Sequence, residues 1–243
     1  MDPNTYRVFD YVLANPSEKL HLNVTSNFSV EPKLFEKYLD YVKRLCDNDS
    51  KKLEHFMQYV SLDSGIPAQA EYIRHGLDYP RMASNVERYL RDNPYRNSLT
   101  FIVTMNNLTV TGMQALMEWI LELRKQYSKT YQRVWFDTPV LRQPTWQSLQ
   151  LLPESYAAKL EECANWMESQ VTTGMVGFKD YEVQRLRRDI AWMRLGQQQN
   201  NSDAKANFYR FFAEHDRRRG TDFLAAFPEM RAWWDQCRYW SQK

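Results

Sequence analysis

The chain has 243 residues, of which 43% are hydrophobic and 26% are charged, and its formal net charge is +2. These values are ordinary for a globular protein with a sizeable core, and so small a net charge argues against broad electrostatic attraction to nucleic acid. The sequence has no apolar run near the roughly 20 residues that a transmembrane helix needs, and its first residues lack the apolar segment of a signal peptide. We therefore expect a cytoplasmic protein with no membrane contact.

The first part of the chain alternates between helical and strand patterns. Asp2 as a cap and Pro3 in the first turn open a predicted helix, which Asn15 and Pro16 end. Apolar segments predict strands at 20–24, 56–60, 99–103 and 133–136, and helical patterns lie at 32–45, 64–75, 80–92 and 111–127. Such alternation predicts an α/β fold with a mainly parallel sheet and right-handed crossovers.

The character of the sequence changes after residue 138. Pro139, Pro144 and Pro153 interrupt the chain, and the short apolar run 146–152 predicts an edge strand. Beyond it we predict only helices, at 155–168, 178–195, 204–216 and 228–240, with a polar linker at 196–201. We therefore divide the chain into an α/β part, residues 1–152, and an all-helical C-terminal region, residues 153–243.

Small polar residues end each of the four predicted strands, and this repetition is the most informative feature of the sequence. The clusters are Thr25, Ser26 and Asn27; Ser61 and Asp63; Thr104, Asn106 and Asn107; and Asp137 and Thr138. For any one cluster, capping of the following helix is the better explanation. Because parallel strands of βα barrels carry their chemistry at their C-terminal ends, the four clusters together favour one shared site.

The strongest local signal follows the second predicted strand. A hydroxyl and a carboxylate at a strand end, here Ser61 and Asp63, can hold a ribose or another polyol. Arg74, further along the chain, can return to the same edge and bind a carboxylate in a bidentate manner. The residues alone fit a capped helix with a solvated arginine equally well.

A series of short phrases runs along nearly the whole chain. The phrases are Ser61-Leu62-Asp63 with Arg74, Thr104-Met105-Asn106-Asn107, Val134-Trp135-Phe136-Asp137-Thr138-Pro139, Gly177-Phe178-Lys179-Asp180-Tyr181, Asn207-Phe208-Tyr209-Arg210-Phe211-Phe212 and His215-Asp216-Arg217-Arg218-Arg219-Gly220-Thr221. In this order they resemble the radical S-adenosylmethionine (radical SAM) superfamily, and more closely its members with a twitch or SPASM-type C-terminal extension.

The resemblance implies a partial parallel (β/α)6 barrel that binds S-adenosylmethionine across its strand ends. By the same resemblance, Ser61 and Asp63 would lie near the ribose and Arg74 near the methionine carboxylate. The other implied cofactor-binding residues would line the mouth from neighbouring strands, with the last of them facing adenine or substrate: Thr25, Asn27, Asn106, Asn107 and Asp137.

The chain departs from this family in its metal site. Family members bind a [4Fe-4S] cluster through a Cys-x3-Cys-x2-Cys loop and hold the methionine amine through Gly-Gly-Glu, and neither motif occurs in this sequence. Cys46, Cys163 and Cys237 are too far apart to replace that loop, and we expect them to be buried structural residues. The chain thus resembles a family member without its first two strands, with Met1 as an internal start, the beginning of a split half or an engineered boundary.

Three functions are compatible with these features. The first is the C-terminal portion of a radical SAM-type enzyme, inactive until an N-terminal portion, on a longer chain or on a partner, supplies the cluster. The second is a non-catalytic binding module that uses the degenerate barrel. The third is a nucleic-acid-binding helical protein using Arg217–Arg219, which we rank last because Glu214 and Asp216 dilute the positive charge. His215 and Asp216 are helix neighbours, so we expect them not to face each other.

Overall fold

The computed structural model describes residues 2–47, 49, 52–93, 97–196 and 201–243. The first half alternates in the order α1 (Pro3–Ala14), β1 (Ser17–Ser26), α2 (Pro32–Leu45), β2 (Leu53–Ser61), α3 (Pro67–Ile73), α4 (Tyr79–Asp92), β3 (Asn97–Ile102), α5 (Met113–Tyr127) and β4 (Val134–Asp137). The second half is helical, with α6 (Glu154–Ser169), α7 (Asp180–Gly196), α8 (Ser202–Arg219), α9 (Phe223–Ala226) and α10 (Arg231–Ser241).

Local capping explains several of these boundaries. The side chain of Asp2 accepts a hydrogen bond from the backbone of Asn4 at 2.7 Å, which confirms the predicted start of α1. Asp78 accepts in the same way from Arg81 at the start of α4. Gly220 directly follows α8 and caps it in the left-handed region, at φ 65°.

The predicted edge strand at 146–152 is wrong. Two 3-10 turns, Thr145–Gln147 and Leu149–Leu151, occupy this segment. Ser148 accepts a hydrogen bond from the backbone of Gln150, so the local turn uses a donor that a strand would need for pairing. The turns still bury their leucines, which explains why the run is apolar. Of the predicted linker at 196–201, residues 197–200 lie outside the described residues.

The four strands form one parallel sheet in the order β1-β2-β3-β4, which confirms the predicted α/β fold and strand direction. Their register aligns the carboxyl ends. Ser26 of β1 pairs with Val60 of β2, while Ser61 pairs with Ile102 of β3 and Ile102 pairs with Asp137 of β4. The polar residues that follow the strands therefore meet at one edge of the sheet.

Helices pack on one face of this sheet. Phe101 and Phe136 are register partners on that face, and Phe56 lies on the same face of β2. The ring of Phe9 in α1 lies 6.0 Å from Phe56, and Trp119 in α5 lies 5.2 Å from Phe101. Consecutive parallel strands joined by right-handed crossovers place their helices on a common side, which accounts for this arrangement.

The opposite face of the sheet is only partly covered. Thr25 of β1 is exposed there, and its register partner Tyr59 is half-buried. Trp135 of β4 is also half-buried on this face, with Thr100 between the two aromatic residues in register. Parallel sheets are usually covered on both faces, so a partly open face is unusual.

A buried arginine holds together the amino edge of the sheet. Arg133, which directly precedes β4, is 3% exposed. Its guanidinium donates hydrogen bonds to the backbone carbonyls of Leu90, at 2.8 Å, and Asn93, at 2.6 Å. It also donates to the backbone and side-chain oxygens of Asn97 at the start of β3. This one side chain thus links the end of α4 to two neighbouring strands.

A second buried arginine joins the two halves of the chain. Arg124 of α5 and Glu182 of α7 form a two-pronged ion pair, with 2.7 Å and 3.0 Å between their nitrogen and oxygen atoms. Their side chains are 0% and 2% exposed. Arg124 also donates to the carbonyls of Val134 and Gly177, and Glu182 accepts from the backbone of Lys179. The pair is therefore well supplied with hydrogen bonds.

One hydrophobic core runs through the strands and the C-terminal helices. The division into 1–152 and 153–243 falls after β4 and just before α6, and it stays a prediction as a domain boundary. Within the described ranges, the helices lack the length and apolar character needed to cross a bilayer.

Candidate functional site

Asp63 organises the carboxyl edge of the sheet. It follows β2, is 3% exposed, and accepts a hydrogen bond from the backbone of Thr104 at 2.9 Å. Its other carboxylate oxygen lies 2.8 Å from Nε of Arg74, just after α3. Ser61 ends β2, two residues before Asp63, and is half-buried. The structure thus pairs Asp63 with Arg74, two of the three residues of the strongest sequence signal, and places Ser61 at the end of the strand that Asp63 follows.

The electrostatics of this pair follow from its unequal burial. Burial raises the pKa of Asp63, while the Arg74 guanidinium and the Thr104 backbone amide act in the opposite direction. The side chain of Arg74 is 27% exposed, against 5% for that of Asp63. Asp63 is therefore buried and contacts Thr104 and Arg74, whereas part of the Arg74 side chain is accessible to a ligand anion.

The loop after Asp63 passes very close to the start of α5. The backbone of Gly65 donates to the carbonyl of Gly112 at 3.1 Å, and a Cβ atom on Gly65 would lie 2.2 Å from the backbone nitrogen of Leu116. Ser64, which is fully buried, donates to the side chain of Gln69 at 2.9 Å. This packing fixes the path of the backbone immediately after Asp63.

The predicted asparagines after β3 are engaged in the fold. The Asn106 side chain accepts from the backbone of Leu108 at 2.8 Å and donates to the carbonyl of Thr104 at 2.7 Å. Asn107 is fully buried and donates to the carbonyl of Trp146 at 2.9 Å. Both side chains thus shape the turn that leads into α5, as capping residues do.

The two predicted residues from the first strand lie at the far side of the same edge. Thr25 and Asn27 are both exposed, and Asn27 accepts a hydrogen bond from the backbone of Ser29 at 3.2 Å. Between them and α2 the chain turns sharply at Phe28, which has φ 59° and is fully buried. A left-handed conformation is uncommon for such a residue, and here it lets the ring enter the core.

Asp137 at the end of β4 belongs to a second polar group, which contains two residues that the sequence analysis missed. Arg185 of α7 donates a hydrogen bond to Asp137. The hydroxyl of Thr138 donates to Asp189 of the same helix at 3.2 Å. The spacing of Arg185 and Asp189, one helical turn apart, was a signal for a shared helix face. It carried no indication that this face meets a strand end.

Asp189 has a strongly perturbed acidity. Burial raises its pKa to about 6, against the hydrogen bond from Thr138 and the positive charges of Arg188 and Arg185. In a free chain the pKa of an aspartate is about 3.9. Between these values the folded state binds more protons than the unfolded state, so stability falls as the pH rises through this window.

We therefore expect Asp189→Asn to stabilise the protein near neutral pH. Relative to the parent chain, the gain should be about 1–2 kcal/mol near pH 7.5, after allowance for solvent screening, and should vanish near pH 4. Urea unfolding of both proteins at the two pH values measures this difference. An equal difference at both pH values would contradict the assignment.

His215 and Asp216 correct a sequence expectation. Nδ1 of His215 lies 3.5 Å from a carboxylate oxygen of Asp216, so these neighbours do approach each other. Thr221 and the backbone of Phe223 donate to Asp216, whose carboxylate therefore contacts the segment that joins α8 to α9. The ring of Tyr72 lies 4.8 Å from that of His215, which links this pair to α3.

The three cysteines are buried, as predicted. They lie in separate places, with Cys46 after α2, Cys163 in α6 and Cys237 in α10. Burial raises the pKa of Cys163 to about 12, so this thiol is protonated at neutral pH. Among the described residues, histidines, cysteines and acidic side chains do not gather in threes as a metal site requires.

Comparison with known proteins gives no assignment: neither a family model, nor a curated protein, nor a solved structure matches the chain.

Proposed function

We propose that the chain is the C-terminal portion of a radical SAM-type enzyme and binds S-adenosylmethionine at the carboxyl edge of its sheet. The observation that carries this proposal is the ion pair between Asp63 and Arg74 at the end of β2. An enclosed carboxylate that fixes a partly exposed arginine prepares that arginine for an anionic group of a ligand.

We further propose that the sheet is an arc of an incomplete βα barrel. The consecutive strand order and the helices on one face support this geometry. A parallel sheet with all its helices on one face covers its other face by closing into a barrel. The partly open face with Tyr59 and Trp135 would then be the inside of the barrel.

These contacts suggest a separate role for each of the predicted site residues. Arg74 would bind the methionine carboxylate and Ser61 a ribose hydroxyl. Asp63 is already bonded to Thr104 and Arg74, so we assign it the role of positioning Arg74. S-adenosylmethionine brings an activated sulfonium to such a site. The rim residues would be Thr25, Asn27 and Asp137, with Asn106 and Asn107 shaping the loop.

The residues of this chain do not fit a [4Fe-4S] cluster. Such a cluster needs several thiolates at one place, whereas the three cysteines are buried in separate elements. We propose that another segment or a partner chain supplies the cluster, and that this chain alone is inactive. The outer edge of β1 supports this idea, since it ends the sheet within the described residues and offers backbone groups to a further strand.

Calorimetry with two related ligands tests the proposed site. If Arg74 binds the carboxylate, Arg74→Gln should weaken S-adenosylmethionine at least about tenfold and leave 5′-methylthioadenosine, which lacks the amino acid, within about twofold. Arg91→Gln is the matched control, because Arg91 is a 59% exposed arginine of α4 that lies away from the strand ends.

The outcomes separate the proposals. Equal weakening of both ligands by Arg74→Gln would remove the assigned role of Arg74. The absence of saturable heat with either ligand would exclude a cofactor site in this chain and favour the non-catalytic binding module. A Cys-x3-Cys-x2-Cys loop with Gly-Gly-Glu in the DNA upstream of the coding sequence, or in an adjacent gene, would support the enzyme.

A further inference from the structure

A cavity of about 480 Å³ opens beside the C-terminal half of α8. Its volume falls within the range of small-molecule sites. The residues that line it are Arg210, Phe211, Glu214, His215, Arg218 and Arg219. The lining includes none of the strand-end residues, so this cavity is separate from the proposed S-adenosylmethionine site.

The arginines of the cavity differ in how their charge is balanced. Arg218 pairs with Glu214 at 2.6 Å. Arg219 instead donates to Nε2 of His215 at 3.0 Å, and Arg210 donates to the carbonyl of Ser241 at 3.1 Å. In the described part of the chain, neither Arg210 nor Arg219 has a carboxylate within ion-pair distance. The cavity therefore holds two cationic groups that an anion would neutralise.

His215 holds Arg219 in place. Because Nε2 accepts a hydrogen bond from Arg219, the proton of the neutral ring lies on Nδ1. Nδ1 faces the hydroxyl of Thr221 at 3.4 Å and Asp216 at 3.5 Å, and the ring contacts Tyr72. The contacts of Nδ1 and of the ring thus hold the imidazole in place, and Nε2 orients the guanidinium of Arg219 at the cavity wall.

An aromatic face lies next to these arginines. Phe211 is 45% exposed. Its ring rests on that of Trp146, with 4.2 Å between centroids and 34° between planes. Supported from below by Trp146, Phe211 presents a flat surface on which a planar ring can stack.

We propose that this cavity binds a nucleotide, with its phosphates on Arg219 and Arg210 and its base against Phe211. Arginine forks match phosphate oxygens in geometry and charge, and a base stacks on any aromatic face. A site with both arginines and an aromatic ring should bind a ligand that carries a phosphate and a base more tightly than inorganic phosphate or an uncharged nucleoside. The bound nucleotide is either a free nucleotide or part of a single-stranded nucleic acid.

Titration calorimetry with ADP as the probe tests this site. Arg219→Gln should weaken ADP at least about tenfold, whereas Arg217→Gln should change it less than about twofold. Arg217 is the matched control because it lies on the same helix, carries the same charge, pairs with Glu214 and does not line the cavity. Phe211→Leu should weaken ADP and leave inorganic pyrophosphate unchanged. Circular dichroism confirms that each variant is folded.

Three results would overturn the proposal. The first is equal weakening of ADP binding by Arg217→Gln and Arg219→Gln, which would indicate general charge attraction. The second is the absence of saturable ADP binding. The third is loss of ADP binding in Arg74→Gln while Arg219→Gln binds ADP as the parent chain does. A short oligothymidylate that binds through Arg219 more tightly than ADP would identify single-stranded nucleic acid as the source, and weaker binding would identify a free nucleotide. Failure of ADP to bind leaves the S-adenosylmethionine proposal intact, since the two sites share no residue.

Discussion

Replacing Glu182 by alanine is expected to lower the free energy of unfolding by about 3–5 kcal/mol. The change leaves the guanidinium of Arg124, whose side chain is 0% exposed, without its carboxylate. The carbonyls of Val134 and Gly177 still accept from Arg124, but they carry no compensating charge. The backbone amide of Lys179 loses its acceptor as well. Urea unfolding followed by circular dichroism measures the loss.

A surface pair provides the control for this prediction. Glu122 and Lys125 lie on α5, and their side chains are 66% and 50% exposed. Glu122→Ala should change stability by less than about 0.5 kcal/mol. The double variant Arg124→Met with Glu182→Leu should be less destabilised than Glu182→Ala, because it removes both charges. A loss below about 1 kcal/mol for Glu182→Ala would show that the buried pair contributes little.

Gly65→Ala is expected to destabilise the protein by about 2–3 kcal/mol. The added Cβ would lie 2.2 Å from the backbone nitrogen of Leu116 and 2.5 Å from the backbone carbon of Ala115. Since both atoms belong to the main chain of α5, rotation of a side chain cannot relieve the contact. The loop must move instead, and Asp63 moves with it.

Gly174→Ala is the matched control for this substitution. The nearest atom to its Cβ would be the Thr172 hydroxyl at 3.5 Å, which is an ordinary contact. Its stability should stay unchanged or rise by up to about 1 kcal/mol, because alanine restricts the unfolded chain. If Gly65→Ala and Gly174→Ala behave alike in thermal unfolding, the close approach of the loop to α5 is not a constraint.

Much of the α/β half was predictable because its signals are local. Asp2 caps α1 as predicted, and the apolar runs appear as strands, extended by a few residues at several ends. Alternation of helices and strands predicts a parallel sheet through chain connectivity alone, and this prediction is confirmed. The partial barrel and the family assignment stay predictions.

The remainder depended on contacts between distant segments. The apolar run at 146–152 buries its leucines without pairing, and no local pattern separates that solution from an edge strand. Arg185 and Asp189 read as polar positions of a helix, and only the packing of α7 against β4 gives them strand-end partners. Asn106 and Asn107 looked available for a ligand because their hydrogen bonds to Thr104 and Trp146 depend on the folded loop.

The hydrogen bonds that Arg133 donates lie at the amino edge of the sheet, opposite the edge where Asp63 and Arg74 meet. The hydrogen bonds of Arg133 and the proposed S-adenosylmethionine site thus lie at opposite ends of the sheet. Exposed residues at the carboxyl edge, such as Thr25 at the end of β1 and Asn27 after it, can be exchanged without disturbing the hydrogen bonds of Arg133 at the amino edge. Libraries for altered ligand binding should accordingly randomise the exposed positions of that edge and keep Arg133 and Asn97 fixed. Closely packed carboxyl-edge residues such as Gly65 and Asn107 should stay fixed as well.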